Sequence, residues 1–121
     1  MTDYEIEAFG RRLGLTGLAL DESGRVSLKL SDLGELTLTE TDGGLRLTLS
    51  RAQSSDDTAP YERLLASIDW HKNPPFLVQA AFFRRHLILS LALEDAEVTA
   101  AGLENALRFA VQELNRALQN A

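Results

Sequence analysis

The sequence predicts an α+β fold in which a helix, three strands, a second helix, two strands and a closing helix follow in that order. Three observations predict it. Apolar residues fall at helical spacing in three separate stretches. Leucines alternate with polar residues in four others, the signature of strands buried on one face. Short turn signals join these alternating runs, which makes neighbouring strands antiparallel. The expected architecture is a twisted antiparallel sheet with the helices packed on it.

The first helix is expected over Thr2–Leu13. Thr2 and Glu5 have capping-box spacing, and Ile6, Phe9 and Leu13 share a face. Gly10 lies on that face, where it would let the helix approach a sheet closely, and Gly14 supplies the C-terminal stop. Leu18-Ala19-Leu20 is a short extended piece ended by the turn signal Asp21-Glu22-Ser23-Gly24. Val26, Leu28 and Leu30 then alternate with Arg25, Ser27 and Lys29. Leu36 and Leu38 follow, and then Leu45, Leu47 and Leu49. Asp42-Gly43-Gly44 reads as a hairpin turn whose glycines take positive φ.

The polar segment Gln53–Asp57 precedes a second helix that starts near Thr58 and Pro60. Tyr61, Leu64, Leu65 and Ile68 form its stripe, and Asn73-Pro74-Pro75 prevents its continuation. Phe76–Phe83 is apolar at nearly every position, unlike the earlier strands. Such a strand has both faces covered. Arg84-Arg85 turns the chain without the usual glycine or asparagine, and Leu87, Leu89, Leu91 and Leu93 resume alternation. Thr99 is the expected N-cap of the last helix, with Val98 and Leu103 as its hydrophobic staple. Leu103, Leu107, Ala110, Val111, Leu114 and Leu118 form its stripe, and Phe109 falls near the opposite face.

Bulk properties bound the function. The chain has 121 residues, read as one domain over 1–121. Its net charge of −6 provides no basic face for phosphates, so no nucleic-acid partner is expected. There are no cysteines, which removes disulfides and thiolate metal sites. The N-terminus lacks signal-peptide features, and no apolar run approaches the ~20 residues of a membrane span. A cytoplasmic protein with no membrane partner is expected.

Catalytic chemistry finds no foothold. His71 and His86 are the only histidines, and neither has metal-ligand spacing. Glu94, Asp95 and Glu97 form an acidic approach to a helix N-terminus, which the helix dipole favours. Gly43-Gly44 is not followed by the Lys-Ser or Lys-Thr of a phosphate loop. No enzyme, catalytic residue, metal or cofactor is expected. Four aromatics remain: Tyr4, Trp70, Phe83 and Phe109 lie off their main stripes or beside the fully apolar run. Aromatics often anchor interfaces. Trp70 and the Phe76–Phe83 strand together suggest a subunit interface around the second helix and the strand after it.

The assembled pattern resembles the class I effector chaperones of bacterial type III secretion, the Tir-chaperone family. The resemblance is carried by Phe9-Gly10-Arg11-Arg12-Leu13-Gly14-Leu15, Leu20-Asp21-Glu22-Ser23-Gly24, the leucine meander, the Trp70–Pro75 helix exit and Arg85-His86-Leu87-Ile88-Leu89-Ser90-Leu91 before the last helix. It implies a homodimer that binds the N-terminal segment of a secreted effector in the bacterial cytoplasm, keeping it soluble and export-competent without ATP. It implies a dimer interface on the second helix and following strand, here Leu64, Ile68, Trp70, Phe76, Val78, Ala80 and Phe82. It implies cargo contacts through apolar patches and strand addition, with Tyr4, Ala8, Val26, Leu28 and Phe109 as contributors. The alternatives are a small ligand-binding or regulatory α+β domain, or a heterodimeric chaperone of a secretion gatekeeper.

Overall fold

A computed structural model describes residues 2–70 and 76–119. The Asn73-Pro74-Pro75 stop and His71 lie outside the described residues. So do the side chains of Thr2 and Trp70. Three α-helices, α1 (Thr2–Arg12), α2 (Ala59–Trp70) and α3 (Ala100–Gln119), accompany five strands. The strands are β1 (Arg25–Leu30), β2 (Gly34–Thr41), β3 (Gly44–Ala52), β4 (Leu77–Phe83) and β5 (His86–Glu94). They form one antiparallel sheet in the order β1-β2-β3-β5-β4. The expected element order and fold class are those observed.

Register explains the core. Val26, Leu38, Leu47, Leu91 and Val78 stand opposite one another across all five strands, as do Leu28, Leu36, Leu49, Leu89 and Ala80. These two rows lie on one face. The next rows on the opposite face include Ser27, Thr37, Thr48, Ser90 and Gln79. Hydroxyl pairs link this polar row, Ser27 with Thr37 and Thr48 with Ser90, both at 3.0 Å. The leucines of β2, β3 and β5 are completely or almost completely buried. They pack with Ile6 and Phe9 of α1, Leu64 of α2, and Leu103, Ala106, Ala110 and Leu114 of α3.

Several local expectations change. Glu5 reaches across the fold: its Oε1 accepts from the Ala100 N–H at 2.8 Å and caps α3, while the Thr2 side-chain half of the expected capping box lies outside the described residues. Thr99 caps the same end, its Oγ1 accepting from the Gly102 N–H at 2.9 Å. The missing Cβ of Gly10 admits Leu18, whose Cβ would lie 2.6 Å from it, so the close neighbour is the Leu18 segment and not the sheet. Leu18–Leu20 is irregular, with Leu18 buried. Glu94 and Glu97 close a capping box around a 3-10 turn, Asp95–Glu97. The entry to β1 is tied by Asp21, whose Oδ1 accepts from the Ser23 N–H and Oγ–H and the Arg25 N–H. The Ser23 hydroxyl, ahead of the other donors, holds the Asp21 carboxyl below its usual value.

The turns invert expectation. Gly43 and Gly44 do not adopt positive φ, whereas Arg84 and Arg85 do, at 50° and 63°. Gly44 is needed for another reason: a Cβ there would sit 1.9 Å from the Leu93 carbonyl oxygen. The arginine turn is held by neighbours. The Gln53 N–H donates to the Arg85 carbonyl, Arg85 Nε pairs with Asp56 at 3.1 Å, and the Arg84 guanidinium lies over the Phe83 ring. Two side-chain-bearing residues in the left-handed region cost about 1 kcal/mol each. Replacing Arg84-Arg85 with Asn-Gly should therefore raise unfolding stability by about 1 kcal/mol, since the exposed Arg85–Asp56 pair contributes little. Gly44→Ala should lower it by about 3 kcal/mol. Urea unfolding of both variants measures the contrast.

Candidate functional site: two open sheet edges

The helices cover the centre of the leucine face and leave its margins short of cover. Val26, Leu28 and Leu30 of β1 are only half-buried, and β1 pairs with β2 alone. Its other side presents unpaired backbone donors and acceptors. At the opposite margin, β4 pairs with β5 alone. Val78, Ala80 and Phe82 turn toward the helix layer and are half-buried. Phe82 stacks on Tyr61 of α2, their ring centres 6.3 Å apart.

The apolar run of β4 thus splits by face. Leu77 and Phe83 point the other way and are 74% and 62% exposed. Along the free β4 edge runs a groove of about 440 Å³, lined by Leu65, Ile68, Val78, Ala80, Ala81 and Ile88 among others. The structure therefore brings together three positions expected at a subunit interface, Ile68, Val78 and Ala80. It adds Leu65, Leu77, Ala81 and Phe83. Of these, Leu77, Ala81 and Phe83 lie in the unbroken apolar run that the sequence marks for a subunit interface, whereas Leu65 carried no signal beyond the stripe of the second helix. Leu64 is different. It is completely buried inside the protomer, one helical step from exposed Leu65, and so supports the edge from beneath.

The expected cargo residues occupy several places. Tyr4 is 64% exposed on α1. Ala8, expected on an outward face, packs against the core margin. Val26 and Leu28 lie at the β1 edge. Phe109 is half-buried and meets Phe76 with ring centres 5.7 Å apart. That pairing puts Phe109 on the β4 side of the molecule, away from β1.

A buried carboxylate holds α2 in place. Glu113 of α3 is almost completely buried, and its Oε1 accepts from Ser67 Oγ–H of α2 at 2.7 Å. Arg116 donates to its Oε2 at 3.0 Å. Arg63 of α2 adds a bond from Nε to the Ala117 carbonyl at 2.8 Å. Sequence reasoning missed Glu113, although its spacing from Ala106, Ala110 and Ala117 places it in a row of small residues. Among the described residues, no group of three or more histidines and acids could hold a metal ion. No described helix is long and apolar enough to cross a membrane.

Residues 5–118 match the model of the Tir chaperone protein (CesT) family. The chain belongs to that family. Curated protein sequences give no match. Solved structures share the fold. A chain in the crystal structure of the Yersinia pestis type III secretion chaperone SycH in complex with a stable fragment of YscM2 aligns at TM-score 0.72 with 16% identity, covering 97% of this chain and 99% of the other. A chain of the HopA1–SchA chaperone–effector complex aligns at 0.66 with 16% identity, covering 98% and 92%. A chain of the heterodimeric ExoU–SpcU complex of the Pseudomonas aeruginosa type III secretion system aligns at 0.52 with 21% identity, covering 96% and 99%. The resemblance expected from the sequence is thereby met by both the family match and the fold.

Removing the buried carboxylate should loosen α2. Glu113→Ala strands Ser67 and Arg116 without their acceptor. The expected loss is about 2 kcal/mol of stability, with faster amide hydrogen exchange concentrated in α2.

Proposed function

We propose that this chain is a type III secretion chaperone that binds the N-terminal region of a secreted effector and keeps it soluble and export-competent. Family membership supports the class of function. The observation that carries the mode of binding is the β1 edge, where a free strand edge and the half-covered side chains of Val26, Leu28 and Leu30 coincide. An extended cargo segment added there gains main-chain hydrogen bonds from the edge and inserts alternate side chains over the leucine margin. Ordering an unfolded segment costs entropy, so a long wrapped surface is required.

The protein acts by binding alone, in the bacterial cytoplasm, with no cofactor. It works as a homodimer joined along α2 and the free β4 edge. The exposure of Leu65, Leu77 and Phe83 supports that placement, since a soluble chain gains by covering such side chains. Two copies double the cargo surface.

Two measurements test this reading. Co-purification from the native cell at endogenous level should recover an effector held through its N-terminal region. The conservative Val26→Thr/Leu28→Thr variant should recover about tenfold less, because it removes apolar contact while keeping a strand. Recovery of only a small metabolite would reverse the assignment. In sedimentation equilibrium the wild type should run at twice 13.3 kDa. Leu65→Glu/Ala81→Glu should run as a monomer with an unchanged circular dichroism spectrum. A monomeric wild type would remove the dimer from the proposal.

A further inference from the structure

The free strand β4 matches itself about its own midpoint. Ala80 is the central residue of Leu77–Phe83. Outward from it, Gln79 mirrors Ala81, Val78 mirrors Phe82, and Leu77 mirrors Phe83. Leu77 and Phe83, at the two ends, both point away from the helices and are mostly exposed.

Backbone geometry restricts how this strand can add a neighbour. Arg84 and Arg85, both at positive φ, make a two-residue hairpin in which Phe83 and His86 exchange backbone hydrogen bonds. Bonded and non-bonded pairs then alternate, so Leu77, Gln79, Ala81 and Phe83 direct their N–H and C=O groups at β5. The bond from the Gln53 N–H to the Arg85 carbonyl fits the same alternation, because it turns the odd-numbered residues of β5 toward β3. The groups left at the free edge of β4 are those of Val78, Ala80 and Phe82. A second β4, antiparallel about a twofold axis, can bond only where these residues meet one another. An axis passing between two residues fails, since it sets a bonding residue against one whose groups face away. With most of the strand paired, the axis passes through Gln79, Ala80 or Ala81. At Gln79 it runs Phe83 past the start of the other strand. At Ala81 it sets Leu77 against Arg85. At Ala80 every residue of β4 finds a partner, and Leu77 stands opposite Phe83 at both ends.

We propose that two copies of this chain join by pairing β4 with β4 in the register centred on Ala80, so that Leu77 of each copy covers Phe83 of the other. The inference rests on the homodimer reading and adds its alignment. On the helix side, the small Ala80 side chains meet at the axis, and Val78 meets Phe82. The groove of about 440 Å³ beside the strand, bounded by Leu65, Ile68, Val78 and Ala80, receives the helix-facing side of the second strand. Charge does not oppose this register. Tyr61 stacks on Phe82, so Asp69, two turns further along α2, lies toward the Val78 end, where the arginine turn of the second copy arrives. Arg46 stands two strands inward, on β3. A cargo strand could bond to the same backbone groups, but nothing would then require the two halves of β4 to match each other. Self-pairing requires it. The pairing uses both β4 edges and leaves the two β1 edges at the far margins of one continuous sheet.

Cysteine cross-linking tests the register, because the chain has no cysteine of its own. Residues in a non-hydrogen-bonded antiparallel pair lie close enough for a disulfide. Gln79 and Ala81 of the second copy form such a pair, and both are exposed. Gln79→Cys and Ala81→Cys, mixed, unfolded and refolded together and then oxidised, should give a disulfide-linked dimer on a non-reducing gel. Either variant alone should give at least about tenfold less. Ready cross-linking of Gln79→Cys alone or of Ala81→Cys alone would move the axis to that residue and overturn the proposal. A second measurement reads the outer contact. Leu77→Glu and Phe83→Lys should each weaken self-association about tenfold in sedimentation equilibrium at low salt, and mixing the two should restore it, since the new charges then face each other. A mixture no tighter than the single variants would overturn the contact. A wild type of doubled mass whose cysteine mixture does not cross-link overturns the register and leaves the homodimer standing; a monomeric wild type overturns both. None of these results alters the cargo-capture experiment on Val26 and Leu28.

Discussion

Everything in this molecule depends on one constraint: a five-stranded sheet whose apolar side chains all fall on one face. The period of two along each strand sets this, and the antiparallel register enforces it across strands. Leu38, Leu47 and Leu91 align in one row, and Leu36, Leu49 and Leu89 in the next. A slip of one residue in β3 would place Arg46 and Thr48 under α3 and expose three leucines. Each fully buried leucine contributes about 2 kcal/mol, so that slip is strongly disfavoured. The central strands are thus fixed first, and the helices are positioned by what they must cover.

The same rows define the open margins of the sheet. Each row begins on β1 and ends on β4, and the helix layer is narrower than the sheet. Val26 and Leu28 at one end and Val78 and Ala80 at the other belong to the same two lines of side chains, yet only the middle of each line is sealed. The proposed binding surface and the core are therefore one continuous apolar face. This is an economical way to build a chain that holds another chain. It also exposes two strand edges, which in a protein with no partner would invite aggregation.

Most of the fold was legible because these rules are periodic. Alternation gave the strands, the three- and four-residue spacing gave α1, α2 and α3, and Thr99 announced a cap that the structure keeps. The departures share a cause. They depend on what lies across the fold, not on what lies nearby in sequence. Glu5 has the spacing for a local capping box, but α3 begins beside it and offers an unpaired N–H. Gly43-Gly44 looks like a turn that needs positive φ, but Gly44 is required by the Leu93 carbonyl on a strand far away in sequence. Glu113 shares a helix row with Ala106, Ala110 and Ala117, but a carboxylate there gives no sign of its partner until Ser67 arrives from α2. The site was partly legible for the same reason. Phe76–Phe83 stands out as unbroken apolar sequence, but only the pairing of β4 with β5 tells which of its residues face the helices and which face outward.

The arginine turn shows how far tertiary context can go. A two-residue hairpin favours glycine and asparagine because both residues need positive φ. Here Arg84 and Arg85 adopt it, and their neighbours compensate: a ring beneath one guanidinium, a carboxylate beside the other and a backbone bond from Gln53. The two side-chain contacts are weak alone, since both are largely exposed. Their combined effect need only offset a cost of about 2 kcal/mol. The β4–β5 ladder does the rest, because its Phe83–His86 pair already brings the ends of the two strands together and leaves the chain no other way to turn. Local preference at that turn is outweighed by the pairing of the leucine strands, the same constraint that leaves both sheet margins open.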